Sequence, residues 1–359
     1  MKNIFITDCE GPISKNDNAF ELTSKLIPEG ATLFTLISKY DDVQAELIGR
    51  PGYRAGDTLR LILPFLKAFG ATNDILRTLS EESIVLVPGA KETLFLVREL
   101  MPSFIVSTSY EQYISGLCEL TGFPVDNVYC TNLDLDRFEI STSEGSRLRR
   151  WVGELVKLPI PIVPVDARSI TDLERRDRET IEYLNDLFWV KMQNMVAGTI
   201  IREIRPIGGE EKVEAVKDII KKYSSDPNNI MYVGDSVTDA APLRYVREEC
   251  GLAVSFNGNQ YAIREAEIAI ISGNTLVTSI LAAAFNKGKR ESVKELVADW
   301  NYEKIGETVN YQLRARAEEV YRDKLPKVEI VSNSNKERLT DESCSFRKEV
   351  RGEAIGNLG

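Results

Sequence analysis

Short apolar runs, each bounded by polar residues or glycine, recur along the chain and are separated by helical patterns. The runs cover residues 3–7, 103–106, 230–234, 251–255 and 268–271. Near-continuous apolar runs of this length are typical of parallel strands that are buried on both faces, and their alternation with helices indicates a doubly wound arrangement. The pattern therefore predicts an α/β fold with a Rossmann-like parallel sheet.

Two long segments interrupt this alternation. Residues 15–85, between the first two predicted strands, are mostly helical by pattern, with a Gly- and Pro-rich loop at 49–57. Residues 141–197 contain three prolines within 158–164, which excludes a central strand or a helix interior there. This second insertion has no assigned role: it could form a second lid, a homodimer contact or a surface for a protein partner.

The remaining stretches divide into a core and a tail. Residues 1–14, 86–140 and 198–325 carry the predicted strands and are expected to form the sheet domain together. Residues 326–359 are polar and low in apolar side chains, so the sequence predicts a disordered tail there.

Composition narrows the range of partners. The chain has 359 residues and a formal net charge of -10, with no excess of Lys and Arg to displace counterions from a phosphate backbone, so nucleic acid is not expected to bind. No apolar run approaches the length of a membrane span, and the first apolar run meets Asp8 too early for a signal peptide. The five scattered cysteines show no C-x-x-C spacing and fit reduced thiols. We expect a cytoplasmic protein without a membrane segment.

The chain contains no histidine. Ser-His-Asp hydrolysis, Cys-His proteolysis and His-ligated zinc chemistry are therefore excluded within this polypeptide. Acid–base chemistry must be carried out by carboxylates, Lys, Tyr or Cys.

Polar residues follow three of the predicted strands, where ligands bind in parallel α/β sheets. Asp8 follows the first strand, Ser107 and Thr108 follow the second, and Asp235 and Asp239 follow the strand at 230–234. Two acids in so short a turn repel each other unless a cation joins them, and oxygen ligands suit Mg²⁺.

The order of these residues, with Lys212 at the start of a helical pattern, resembles the haloacid dehalogenase (HAD) superfamily, in particular phosphoserine-phosphatase-like hydrolases with a helical cap. The resemblance implies that Asp8 is the nucleophile, that Ser107 hydrogen-bonds a phosphoryl oxygen and that Lys212 offsets negative charge. It also implies an HAD-like core with residues 15–85 as the cap. The implied Mg²⁺ ligands are Asp8, the main-chain carbonyl of Glu10, Asp235 and Asp239.

Glu10 stands where phosphatases of this superfamily usually carry the aspartate that acts as general acid and base. The extra methylene displaces its carboxylate by about one bond length, which is enough to affect alignment. Candidate substrate contacts are Gly11 and Thr108, beside the nucleophile and the hydroxyl, and Arg50 and Arg54 in the cap loop, because an anionic substrate needs such groups.

The resulting expectation is a Mg²⁺-dependent phosphatase that hydrolyses a small phosphorylated metabolite through an aspartyl-phosphate. A phosphoreceiver domain has the same ingredients, but its lysine follows the acceptor and the hydroxyl in a much shorter chain. The other alternative is a HAD-fold binding or accessory subunit with little or no turnover. The segments 8–12 and 234–259 are similar to archaeal proteins labelled as subunit R of an energy-converting hydrogenase.

Overall fold

The computed structural model describes residues 2–164, 167–322 and 324–358. Met1, Asp323 and Gly359, and Val165 and Asp166 of the second insertion, lie outside the described residues. Within the described ranges, no helix combines the length and the apolar character needed to cross a membrane.

A seven-stranded sheet forms the centre of the protein and confirms the predicted α/β class. Its spatial order is β3-β2-β1-β4-β5-β6-β7, and every pairing is parallel except that of the edge strand β7 with β6. The strands are β1 (Ile4–Thr7), β2 (Ser103–Tyr110), β3 (Val128–Thr131), β4 (Ile230–Gly234), β5 (Leu252–Phe256), β6 (Ile268–Ile271) and β7 (Lys327–Ile330).

The central strands are apolar along their length because helices cover both faces of the sheet. Every residue of β1, β2, β4 and β5 is buried. Alternate β1 side chains enter opposite cores: Phe5 packs with Met231 on one face, whereas Ile6 packs with Tyr232 on the other. This two-sided burial explains the continuous apolar runs.

Seventeen α-helices occur among the described residues. They are α1 (Asn18–Leu26), α2 (Gly30–Asp42), α3 (Thr58–Ala68), α4 (Asn73–Ser83), α5 (Ala90–Leu100), α6 (Glu111–Thr121), α7 (Thr142–Leu155), α8 (Arg175–Asp186), α9 (Val196–Glu203), α10 (Glu210–Lys222), α11 (Ala240–Glu248), α12 (Gln260–Glu265), α13 (Leu276–Ala298), α14 (Tyr302–Thr308), α15 (Tyr311–Tyr321), α16 (Lys336–Arg351) and α17 (Glu353–Gly356). One π-helical segment, Val43–Ile48, continues α2, and another, Leu187–Lys191, continues α8.

The two inserted segments pack into a single helical layer, which we call the composite cap. Apolar residues of α1 to α4 share one buried cluster with those of α7 to α9, so the second insertion completes the core of the first. Leu63 and Phe65 in α3 and Leu148 in α7 are all fully buried in it. An amphipathic helix is stable only when its apolar face is covered, and here each insertion covers the other.

A polar contact also joins the two insertions. Tyr40 donates a hydrogen bond from its hydroxyl to Asn185 Oδ1 (2.8 Å) and accepts one from Trp189 Nε1 (2.7 Å). Tyr40 is fully buried, and its hydroxyl is the acceptor of the Trp189 indole N–H, whereas Asn185 Oδ1 also accepts from Gln44 Nε2 at 3.0 Å.

The predicted disorder after residue 326 is wrong. Residues 327–330 form β7, and α16 packs with Leu339, Ser343 and Arg347 buried. The segment looks polar in sequence because its buried face carries Ser and Arg at four-residue spacing, which composition alone does not distinguish from solvent-exposed residues.

Replacing Tyr40 by Phe should lower the free energy of unfolding by about 1–3 kcal/mol, because it removes the acceptor of the Trp189 indole N–H and one donor to Asn185. Urea titration measures the change. The exposed Tyr311→Phe serves as the matched control and should change stability little. An unchanged Tyr40→Phe would mean that the two insertions do not depend on this contact.

Candidate functional site

Three carboxylates meet where β1 and β4 end side by side. Asp8 follows β1 and donates its backbone N–H to Val233 O in β4 at 2.8 Å, while Asp235 directly follows β4. With Asp239, one oxygen of each lies within 4.8 Å of the others, and all three residues are buried. Parallel pairing of adjacent strands forces these side chains together. We call Asp8, Asp235 and Asp239 the acidic cluster.

Lys212 bridges two members of the acidic cluster. Its side chain, in the first turn of α10, is fully buried. The Nζ atom lies 2.9 Å from Asp8 Oδ2 and 2.7 Å from Asp239 Oδ1. A buried ammonium requires such partners, because desolvation of an unpaired charge costs several kcal/mol.

Burial and neighbouring charge shift the pKa values of these groups in opposite directions. Desolvation, reinforced by Asp239, raises the pKa of Asp8 to about 8 against the opposing effect of Lys212. Although desolvation opposes it, Lys212 with its hydrogen bond holds the pKa of Asp239 below its usual value. Burial opposes the charged form of Lys212, yet Asp239 and Asp8 raise the pKa of the ammonium. Asp239 and Lys212 thus form the permanently charged pair.

Asp239 organises the turn after β4. Its Oδ1 accepts from Lys212 and from the Tyr232 hydroxyl at 2.8 Å, and its Oδ2 accepts the backbone N–H groups of Asp235 at 3.0 Å and Ser236 at 3.2 Å. A carboxylate has about four acceptor positions, and these four contacts occupy them. The arrangement leaves Asp239 better suited to orienting its neighbours than to direct contact with a ligand.

Asp235, in contrast to Asp239, has hydrogen-bond partners on only one of its two carboxylate oxygens among the described residues. Its Oδ2 pairs with Arg347 and, at 3.0 Å, with Arg351 Nη1, both from α16. Its Oδ1 is buried without a hydrogen-bond partner. Gly11, at φ +103°, lies against this carboxylate, and a Cβ there would overlap Asp235. The sequence predicts that Gly11 contacts the substrate. In the structure, Gly11 lets the backbone pass close to the Asp235 carboxylate, where a side chain would not fit.

A cavity of about 90 Å³ lies between the sheet edge, the composite cap and α16. Ionisable side chains line much of it: Asp8, Glu10, Asp17, Asp41, Asp42, Asp235, Arg347 and Arg351. Glu10 Oε1 accepts the backbone N–H of Asn18 at 2.6 Å. Desolvation, followed by the charge of Asp17, raises the pKa of Glu10 well above its ordinary value, which favours a protonated carboxyl two residues after Asp8.

Of the two hydroxyl residues predicted at the end of β2, Thr108 lines the cavity. Its Oγ1 is buried and has no hydrogen-bond partner among the described residues. Ser107 does not line the cavity: its Oγ donates to Ser109 Oγ at 3.1 Å and accepts the backbone N–H of Ser109 at 3.2 Å. The structure therefore places the available hydroxyl one residue after the position that the sequence motif indicates.

The two cap arginines chosen from the sequence lie outside the cavity. The Arg50 guanidinium stacks 4.5 Å from the centre of the Trp189 ring. Arg54 forms an ion pair with Glu211 and is nearly half exposed. Neither side chain joins the acidic cluster in this conformation.

Sequence reasoning missed the cavity residues Asp17, Asp41, Arg347 and Arg351. Asp17 is the N-cap of α1, with Oδ1 accepting from Phe20 N, and resembles an ordinary capping residue. The two arginines continue the four-residue repeat of buried α16 positions, 339, 343, 347 and 351. That repeat is the sequence signal that could have identified them.

One solved structure shares this fold over the whole chain. The sequence matches no protein-family model. The solved structure of the gene product AF1437 from Archaeoglobus fulgidus is similar to the whole chain: 25% sequence identity and a TM-score of 0.81, covering 100% of this chain and 99% of that one. A phosphoserine phosphatase solved as a phospho-aspartyl intermediate analogue is 14% identical with a TM-score of 0.47, covering 78% of this chain and 97% of that one.

A probable copper-transporting P-type ATPase B of Staphylococcus aureus is 23% identical over 195 residues. The match takes in 51% of this chain and only 28% of the transporter. It therefore concerns a segment of a much longer protein.

Asp41 in α2 lines the cavity, so the pH dependence of protein stability tests how well this carboxyl group is shielded from water. Desolvation, with the charges of Asp57 and Asp42, raises its pKa to about 8, from 3.8 without burial. Between those values the folded protein keeps a proton that the unfolded chain has released, so this group makes stability fall as pH rises from about 4 to 8. Asp41→Asn should therefore become increasingly stabilising, relative to the native protein, over that range.

Urea titrations at several pH values measure this difference. The control is Asp74→Asn, because that side chain is 88% exposed and lies outside the cavity. A stability difference for Asp41→Asn that does not vary with pH would show that Asp41 is solvated in solution.

Proposed function

We propose that this protein is a Mg²⁺-dependent phosphatase of the HAD type, which hydrolyses a small phosphorylated metabolite through an aspartyl-phosphate on Asp8. The observation that carries the proposal is the acidic cluster with Lys212 at the carboxyl ends of β1 and β4, beside a cavity. Residues distant in sequence meet there in the order and with the chemistry that the motif resemblance implies.

The donor set fits a divalent cation. Asp235 Oδ1 is buried and unpartnered, and the carboxylate oxygens of the acidic cluster lie close together. Hard oxygen donors of this kind suit Mg²⁺. Asp8 and Asp235 would hold the ion, with Asp239 orienting the turn. When bound, the ion would offset the repulsion between the Asp8 carboxylate and an anionic phosphoryl group.

The chain's own residues then perform two displacements. A carboxylate oxygen of Asp8 attacks phosphorus, the bond to the leaving oxygen breaks, and Glu10 gives its proton to that oxygen. Water next attacks the phosphorus of the aspartyl-phosphate while Glu10 takes its proton, which releases inorganic phosphate and restores Asp8. Lys212 keeps Asp8 oriented and offsets charge, and Thr108 can donate to a phosphoryl oxygen.

Cation binding should be measurable without turnover. Mg²⁺ should raise the melting temperature of the native protein relative to EDTA, because an ion that binds only the folded state stabilises it. Asp235→Asn should lose most of that increase, since it removes the charged oxygen that has no partner. The exposed Asp74→Asn should keep it. An equal increase in all three proteins would place the cation elsewhere.

Hydrolysis is tested by a Mg²⁺-dependent screen over phosphorylated metabolites. Asp8→Asn should abolish turnover of any substrate found, while circular dichroism shows an intact fold. Glu10→Gln keeps the acceptor for the Asn18 N–H but not the proton, and should lower kcat about 10²- to 10⁴-fold. Unimpaired turnover by Asp8→Asn would refute the mechanism. Binding of phosphorylated ligands without turnover would favour the alternative, a binding or accessory subunit.

A further inference from the structure

Among the described residues, four buried polar atoms of the cavity lining lack hydrogen-bond partners. They are Asp41 Oδ1, Asp235 Oδ1, Thr108 Oγ1 and Arg347 Nε. Each such group costs about 1–3 kcal/mol when left unsatisfied, so several in one small cavity indicate a ligand. Two of the atoms are carboxyl oxygens and two belong to donors, which matches a cation and an anion bound together.

The cationic groups at the site support the same conclusion. Lys212 pairs with Asp8 and Asp239, whereas Arg347 and Arg351 both pair with the same oxygen of Asp235. Two guanidinium groups present more N–H donors than one carboxylate oxygen can accept, so donors remain for an anion.

Arg347 and Arg351 differ in how many of their N–H donors already have hydrogen-bond partners. Arg351 donates from Nε to Lys15 O at 3.0 Å and from Nη2 to Asn16 O, in addition to its Asp235 contact. It ties α16 to the segment that follows β1. Among the described residues, Arg347 hydrogen-bonds only to Asp235, through Nη1, and its Nε has no partner although the side chain is 3% exposed. Arg347 has donor capacity left for a ligand, whereas Arg351 is committed to holding the loop.

We propose that Arg347 is a phosphoryl-binding residue of the active site, supplied by α16 from outside the sequence motifs, and that Arg351 is a positioning residue. The inference rests on the proposed function and adds a contact to the same site. Arg347 donates to oxygens of the phosphoryl group opposite the contacts made by the strand-end residues. Its guanidinium suits this role because it presents several N–H donors in one plane.

The test uses binding rather than turnover. Inorganic phosphate is titrated into the full chain in saturating Mg²⁺ by calorimetry. Arg347→Ala should weaken phosphate binding between about tenfold and a hundredfold, the range for loss of a charged hydrogen bond. Arg347→Lys, which keeps the charge, should recover part of the affinity. Arg338→Ala on the same helix, whose side chain is 46% exposed and pairs with Glu329, should bind like the native protein.

A second titration separates contact with the anion from support of Asp235. If Arg347 binds phosphate, Arg347→Ala should bind Mg²⁺ without phosphate at least as tightly as the native protein, because a positive charge beside Asp235 has been removed. If Arg347 only orients Asp235, Mg²⁺ affinity should fall together with phosphate affinity, and the proposal is overturned. Circular dichroism checks that each variant is folded.

The outcomes distinguish this inference from the proposed function. Native protein that binds phosphate in Mg²⁺, with Arg347→Ala equally tight, overturns the role of Arg347 and leaves the phosphatase proposal standing. Native protein that binds no phosphate in Mg²⁺ overturns both. A phosphate affinity lowered in Arg347→Ala alone, with Mg²⁺ affinity kept, supports the inference.

Discussion

The buried contact of Lys212 with Asp8 and Asp239 is the constraint on which the rest of the site depends. Taking an ammonium and two carboxylates out of water is expensive, and removing one partner of such a group typically costs about 3–5 kcal/mol. The contact is possible because β1 and β4 are neighbours and α10 begins beside their ends. The strand order therefore determines how these side chains are arranged, because the separate segments that carry them meet only if β1 and β4 pair side by side.

The sequence predicted the central strands well because burial on both faces leaves a continuous apolar run. It missed β3 and β7 for physical reasons. Most of β3 is only half-buried, and β7 is an antiparallel edge strand in which charged and apolar residues alternate. The acids at the strand ends were identified because strand, turn and carboxylate are contiguous in sequence. Thr108 was named as a substrate contact, but spacing could not show that Thr108 rather than Ser107 lines the cavity, since that depends on side-chain direction.

The C-terminal helix shows a different limit of sequence reasoning. A buried face made of Leu339, Ser343, Arg347 and Arg351 is not hydrophobic, so it resembles solvent-exposed sequence. Its burial is stabilised by carboxylates and carbonyl oxygens contributed by the loops after β1 and β4. Such electrostatic complementarity is a property of the folded arrangement and has no local signature apart from the four-residue repeat. The polar character that suggested disorder is what lets α16 complete a charged site.

The composite cap also has a mechanical consequence. A lid formed by one inserted segment is joined to its base by two backbone connections, and it can swing about the line between them. Here both insertions share one apolar cluster, so the lid is joined to the sheet domain by four connections. Four connections restrict the movement of the composite cap relative to the sheet more than two would. This restriction favours small tilting of the cap over wide opening. Access to the cavity would then be limited by how far the cap can tilt, a restriction that selects compact molecules by size.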